Sequence, residues 1–422
     1  MASGNYEKAA KYSKQVAKRA VKSASMNEAI HYTRQRIACL ENMPQSEDVQ
    51  RKLIDSRTAL ALYLAQMNDF SEARAVIDPI VKLALETDYK RRLPQIYTIM
   101  GSYDYTVNED FPSAFEHLNQ AFKMSEENSD ILTYALSSFW LGMAFSINCE
   151  FEKAYEFYGK TLTINTAANN LWATATVKSN MALCNYWHGR INAAFQMSQE
   201  AVEAGEKSGD IYSKSMAYTS NGISCLGKGH FEEAEKYLMQ GADFCDRINN
   251  HVWNAMAHFT IGEVYSELGE YGKSKAHYER TSILTKKIRF FPSWSNLSKV
   301  AMLKGITEKK DVDSKFLENR AHKNKARLFN GWIAKEIGRI LMSLGKPHIP
   351  EAETWIKKAI EADMNNDMRF NMGRDYVLYA EVFKRKGDFS EAKRTLSQAL
   401  EIFEECGADG WVEKYTSLRD SL

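Results

Sequence analysis

The stretch whose spacing comes nearest to a chemical site is Gly222-Ile-Ser-Cys-Leu-Gly227-Lys228-Gly229. Its first seven places match the glycine-rich loop whose backbone N–H groups cradle a nucleotide's phosphates while a lysine reaches the outer ones. The eighth place must be Ser or Thr to hold Mg²⁺. Here it is Gly229, and no strand-forming run leads into the loop, so nucleotide binding is not expected. The histidines form no HExxH pair. His251 and His258, two turns apart on one helical face, could chelate a metal only with ligands from elsewhere. The six cysteines (39, 149, 184, 225, 245 and 406) have no CxxC spacing and read as reduced, buried thiols. No Ser–His–Asp or Cys–His arrangement can be assembled. No catalytic residue, metal ligand or cofactor is assigned, and the chain reads as a non-enzyme.

Gly222 and Gly229 have another use, visible in the spacing of the whole chain. An aromatic residue or Ile, two residues, then Ala or Ser recurs at Phe111–Ala114, Phe151–Ala154, Ile191–Ala194, Phe231–Ala234 and Tyr271–Ser274, the leading residues 40 apart. A strict period of this size means stacked helical hairpins, none able to bury its apolar face alone. Nine residues before each leading residue stands a small one: Ser102, Gly142, Ala182, Gly222 and Gly262. Two helices joined by a tight turn approach closely only where side chains are small, so Gly142 is expected to meet Ala154. Gly189, Gly229, Gly269 and Gly387 sit where the turn needs a left-handed backbone. Leu118, Tyr158, Leu238 and Tyr278 continue the apolar seam one turn further. The polar turns Thr87-Asp88, Ser129-Asp130, Asn169-Asn170, Ser208-Gly209-Asp210 and Asn249-Asn250 are placed to cap the next helix.

At these residues the chain resembles the tetratricopeptide repeat family, in a form longer than its usual repeat of about 34 residues. The resemblance implies an all-α, right-handed α-solenoid: a superhelix of about nine to ten antiparallel hairpins, used for binding rather than catalysis. The tail from Ala380-Glu-Val-Phe-Lys-Arg-Lys-Gly387-Asp-Phe389 to Trp411 carries a second likeness, as do Gly4-Asn-Tyr-Glu-Lys-Ala9 and Ala29-Ile-His-Tyr near the start. These stretches resemble the repeat region that follows a nucleotide cyclase or regulatory ATPase in large bacterial signalling proteins. That resemblance implies a regulatory or sensor module, similar in layout to the maltose-regulon activator type. No cyclase or ATPase motif stands in this chain.

Four regions are expected. Residues 1–45 read as N-terminal helices of a truncated or degenerate repeat, starting mid-pattern at Asn5-Tyr6-Glu7-Lys8-Ala9 as a piece of a longer protein would. Residues 46–285 carry the regular repeats, from Phe70-Ser-Glu-Ala73 onward. Residues 286–345 are irregular: Trp294 opens a helix whose partner around 312–324 lacks the signature. Between Lys304 and Arg327 eight Lys/Arg stand against four acids; the single aromatic among them, Phe316, gives no interleaved series for base stacking, so this is a solvated face. Residues 346–422 regain the pattern at Ile349–Ala352 and Phe389–Ala392 and finish in a capping helix. Pro79 is expected to kink or end its helix. Ile131 to Cys149 has no charged residue and the length of a membrane span, but its serines and Gly142 at the small position argue for a repeat helix. A formal charge of +1 gives no electrostatic case for nucleic acid or anionic membrane. With no signal peptide, a cytoplasmic protein is expected.

In the family that the repeat resembles, the first helix of each hairpin lines the groove. This places Ile99, Tyr103, Phe139, Met143, Leu183, Tyr186, Ile223 and Phe259 there. The stripe is nearly charge-free, a liability in water unless something covers it. Either neighbouring units bury it, or it is an apolar groove holding a partner protein, a peptide or the chain's own catalytic domain. The expected function is an interaction scaffold in bacterial signalling, with protein or peptide partners and homo-oligomers allowed. The alternative is a small-ligand sensor, with a polar, aromatic-lined pocket near Trp172, Tyr186 and Trp187. An open apolar groove would support the first and a closed polar cavity the second.

Overall fold

The computed structural model describes residues 5–22, 25–87, 89–288, 290–304 and 314–422. Among them the chain is helical and no strand forms. It divides into two compact units, Met1–Leu141 and Gly142–Leu422, the division falling inside one helix. Unit 1 holds α1 (Tyr6–Lys22), α2 (Met26–Glu41), α3 (Glu47–Gln66), α4 (Phe70–Glu86), α5 (Leu93–Tyr103), α6 (Phe111–Glu127) and the first part of α7 (Ile131–Ile147). Unit 2 holds the rest of α7, then α8 (Phe151–Ala167), α9 (Leu171–His188), α10 (Ile191–Ser208), α11 (Ile211–Lys228), α12 (Phe231–Ile248), α13 (His251–Glu267) and α14 (Tyr271–Lys287). After these come α15 (Pro292–Lys304), α16 (Ser314–His322), α17 (Asn330–Ser343), α18 (Ile349–Asn365), α19 (Arg369–Lys386), α20 (Phe389–Cys406) and α21 (Asp409–Asp420). The fold is an α-solenoid of helical hairpins.

The repeat's leading residue is the first residue of a helix at Phe70, Phe111, Phe151, Ile191, Phe231, Tyr271, Ile349 and Phe389. The turn before it is closed by a left-handed residue: Gly189, Gly229, Gly269 and Gly387 have φ of 88, 79, 77 and 82°. In each, the next N–H reaches back to a carbonyl five residues earlier, as from His230 to Cys225 at 2.9 Å, which satisfies the orphan carbonyls of the helix end. Asn170, Asp210 and Asn250 accept from the N–H groups of Ala173, Ser213 and Trp253 and so cap α9, α11 and α13.

Close helix approach rests on a small residue, and the side chain nearest to it is the bulky residue one turn beyond the Ala of the pattern. A Cβ on Gly142 would fall 2.7 Å from Tyr158, so the bulky residue one turn beyond Ala154 folds over the glycine. Gly222 meets Leu238 at 2.5 Å and the Ala234 carbonyl at 3.0 Å in the same sense. Leucine at Gly222 is therefore expected to overpack this seam by about 1–3 kcal/mol, read from urea unfolding. In the hairpin before Phe111 the close residue is Gly101, whose Cβ would lie 2.6 Å from Leu118, and not Ser102. A π-helical turn at Asp104–Asn108 inserts one residue and shifts the register.

Pro79 lies inside α4 without ending it; Ile77 and Ile80 on either side are buried, and packing holds both halves. Among the described residues no helix is long and apolar enough to cross a membrane. All six cysteines are buried and unbridged. The irregular region is represented by α15 and the short α16; Lys309 and Lys310 of the basic stretch lie outside the described residues.

Candidate binding site

Within unit 2, the faces of α9, α11 and α13 are met by helices that follow much later in the chain. Trp411 of α21 is the anchor. It is 1 % exposed, and its ring centroid lies 5.7 Å from Phe231, 5.3 Å from Phe370, 5.5 Å from Phe403 and 6.0 Å from Tyr415. Its Nε1 donates to the Leu226 carbonyl of α11 at 2.7 Å. Beside it Lys228 donates to the Gly407 carbonyl at 2.7 Å and to Asn192 Oδ1 at 2.9 Å, and pairs with Asp409. A Cβ on Gly229 would stand 2.7 Å from the Gly410 backbone, so two glycines let the end of α11 and the start of α21 touch. The residues that resemble a phosphate loop are thus spent: Gly222 and Gly227 lie inside α11, Gly229 caps it, and the lysine is occupied.

The seam continues in charge. Arg374 of α19 donates to Glu263 at 2.6 Å and to Glu267 at 3.2 Å, both on α13. Lys414 reaches the Glu267 carboxylate and carbonyl, each at 3.0 Å, and the Tyr415 hydroxyl donates to the same carboxylate at 3.2 Å. Burial alone would raise the Glu267 carboxyl, but Arg374, Arg339 and Lys414 around it hold it well below the usual carboxylate range. At the far end His188 and Asp367 share a hydrogen bond of 2.8 Å, and the Tyr186 ring lies 5.5 Å from Phe370.

This closure decides where the stripe residues sit. Leu183, Tyr186 and Ile223 are 3, 5 and 5 % exposed. Phe259 is half-buried, its ring stacked 6.4 Å from Trp332 of α17. In unit 2 these four do not form an open groove. Tyr186 is turned into the Phe370 contact, and Trp172 packs 6.2 Å from Tyr212, so the pocket imagined around them is taken up by helix packing. Met143 is half-buried. In unit 1, Ile99 is in the core, whereas Tyr103 and Phe139 are half-buried, as Met143 and Phe259 are. Tyr103 carries the Arg74 guanidinium 5.5 Å above its ring, and Phe139 packs edge-on to Trp140 at 5.4 Å.

A cleft of about 480 Å³ opens beside the seam in unit 2, between the ends of α13 and α17 and the helices α19 to α21. Met342, Leu378, Leu396 and Leu418 form apolar wall, and Arg339, Lys384 and Arg385 bring charge. Sequence reading singled out none of them, because only the closure brings them together. The one local trace is Lys384-Arg385-Lys386 at the end of α19, which also suits the negative end of the helix dipole.

Among the described residues no group of three or more His, Cys, Asp or Glu is arranged to hold a metal. His258 does find a partner, not His251 but His277 across on α14, with their Nδ1 atoms 2.9 Å apart. One ring donates and the other accepts, so the accepting ring must be neutral and protonation of both breaks the contact. Burial pushes His258 down to about 4 and lowers His277 as well. Between pH 6.5 and about 4 the unfolded chain binds more protons than the folded one, so stability is expected to fall as pH drops through that window. Thermal melts of the wild type and of His258→Gln from pH 7.5 to 4.5 check this; the variant's curve should be flatter.

Comparison with known proteins agrees with this architecture. The family model described as Tetratricopeptide repeat matches residues 256–280 and 376–406, which lie on α13–α14 and α19–α20. No curated protein matches in sequence. Among solved structures, a Rap protein complexed with competence and sporulation factor is similar at 16% identity over 92% of this chain and 99% of its own, TM-score 0.56. The Rap conjugation gene regulator of plasmid pLS20, in complex with a Phr peptide, is similar at 15% identity over 86% of this chain and 95% of its own, TM-score 0.56. The apo quorum sensor NprR from B. thuringiensis is similar at 14% identity over 84% and 99%, TM-score 0.50. At these identities the likeness is one of fold.

Proposed function

We propose that this chain, a tetratricopeptide repeat protein, is a non-catalytic scaffold that holds a partner protein or peptide on the apolar face left half open at Tyr103 and Phe139. The observation behind this reading is a contrast. In unit 2 Leu183, Tyr186 and Ile223 of the stripe are buried where later helices meet it, whereas Tyr103 and Phe139 of unit 1 are only half-buried. Large, rigid rings of this kind are the usual anchors of interfaces. A setting in bacterial signalling is favoured by the similar folds solved with competence and sporulation factor and with a Phr peptide. Of the groove residues, Leu183, Tyr186, Ile223 and Phe259 would meet a partner only if the C-terminal helices moved away.

The test is capture of partners by the full chain, beside a Tyr103→Glu/Phe139→Glu variant. A partner held by the wild type and reduced at least ~10-fold by the variant, with an unchanged melting curve, supports the reading. Equal retention by both removes the face as the site. A small-ligand sensor is the second reading, favoured by the half-open, partly charged cleft of unit 2.

A further inference from the structure

Several positive charges of unit 1 gather in one place. Lys14 and Lys18 of α1, Arg36 of α2, and Arg91 and Arg92 just before α5 lie near one another, and the carboxylate set among them is Asp55 of α3. That carboxylate is already engaged. Its Oδ1 accepts from Arg92 Nε at 2.5 Å and from the Tyr89 hydroxyl at 3.3 Å, and Arg92 donates a further N–H to Gln95 Oε1 at 2.6 Å. Arg36 is left over. It is 9 % exposed, and among the described residues it makes no hydrogen bond and no ion pair. A guanidinium carries five donors, and holding it nearly out of water with no protein acceptor is costly. Lys14, Lys18 and Arg91 are exposed and likewise have no ion pair among the described residues. The Lys14 ammonium is held below its usual range, first by Arg36, then by its partial burial and by Lys18. Like charges are thus packed together in a chain whose formal charge is only +1.

The arrangement says what kind of anion would fit. The cations come from α1, α2 and the turn before α5, so they converge from several directions instead of forming one planar fork. A tetrahedral oxyanion offers acceptor oxygens in several directions at once, whereas a carboxylate offers two in one plane. Five cations stand against one carboxylate, which suits an anion of two or more charges. Tyr63 of α3, near Arg36 and Arg92, adds a hydroxyl that makes no hydrogen bond among the described residues. Burial raises that phenol, so it remains a donor at neutral pH. We propose that this cluster binds a phosphate-bearing small molecule, with Arg36 at the phosphate, Lys14 and Arg91 beside it and the Tyr63 hydroxyl as a further donor. The cluster adjoins the start of α5 and Tyr103 ends that helix, so the site does not depend on the face at Tyr103 and Phe139.

The experiment is isothermal titration calorimetry on the full chain near neutral pH, in low salt and without Mg²⁺, with pyrophosphate, ATP and malonate as probes. Pyrophosphate is expected to bind at least ~10-fold more tightly than malonate, a dicarboxylate. Arg36→Met should weaken pyrophosphate by at least ~10-fold, and because no carboxylate loses its partner the melting curve should hold or rise. Lys14→Ala, at an exposed position, should weaken pyrophosphate by roughly 3–10-fold, which keeps the test decisive even if Arg36→Met unfolds. ATP binding more tightly than pyrophosphate supports the proposal with a nucleotide as the source of the phosphate. Pyrophosphate binding as tightly as ATP supports it with the free anion as the source. No pyrophosphate binding at ~1 mM, malonate binding as tightly, or affinity unchanged in folded Arg36→Met or in Lys14→Ala would overturn it.

Discussion

Replacing Trp411 by alanine is expected to destabilise unit 2 by about 3–5 kcal/mol, the range for deleting a large buried aromatic. The ring sits among Phe231, Phe370, Phe403 and Tyr415, and little of that packing can collapse into the space it leaves. The Leu226 carbonyl loses its indole donor, and the Arg374 guanidinium loses the ring 5.1 Å beneath it. In melting temperature this is a fall of roughly 6–20 °C, taking about 2–4 °C per kcal/mol for a unit of this size. Amide hydrogen exchange should rise first along α21 and at the end of α11. Phe389→Ala is the control: Phe389 leads a repeat but is 52 % exposed, and its loss should cost less than about 1 kcal/mol. A Trp411→Ala variant as stable as that control would show that the seam is not closed in solution.

The second large effect is expected at Arg374. Its guanidinium lies between Glu263 and Glu267, all three nearly fully buried. Arg374→Met keeps much of the volume but leaves two carboxylates in the interior without their main cation, at a cost of about 3–5 kcal/mol. Adding Glu263→Gln should recover part of that loss, since the residual penalty is an uncompensated charge, and a double-mutant cycle measures the share. The pH dependence carries the same signature. In the wild type the Glu267 carboxyl is held below its ordinary 4.5, so the stability it confers is complete above about that pH and is lost as pH falls further. Without Arg374 the dependence should flatten. An additive cycle and an unaltered acid limb would mean that the three groups do not act together.

What could be read from the residues was whatever short-range chemistry decides. A leading aromatic after a left-handed glycine, a polar cap before the next helix and a small residue nine positions back are all settled within one hairpin. The helix starts at Phe151, Ile191, Phe231 and Tyr271 therefore coincide with the pattern. The Ser102 register was missed because a π turn is a slip in backbone hydrogen bonding, and no side chain in Asp104–Asn108 announces it. The stripe on α9, α11 and α13 was legible as apolar, but its cover was not. Lys228 and Asp409, or Leu226 and Trp411, stand more than four repeats apart, and nothing in the repeat links them.

By itself, then, the sequence determined the hairpins and their turns, because each follows from contacts between neighbours in the chain. Only the tertiary structure decided that unit 2 closes on itself, that its inner face is already occupied, and that Arg36 of unit 1 is buried with no acceptor among the described residues. The physical reason is accumulation. Each hairpin is rotated slightly on the last by small differences in packing, and the sum over several hairpins, rather than any one of them, determines whether α11 and α13 meet α19 and α21.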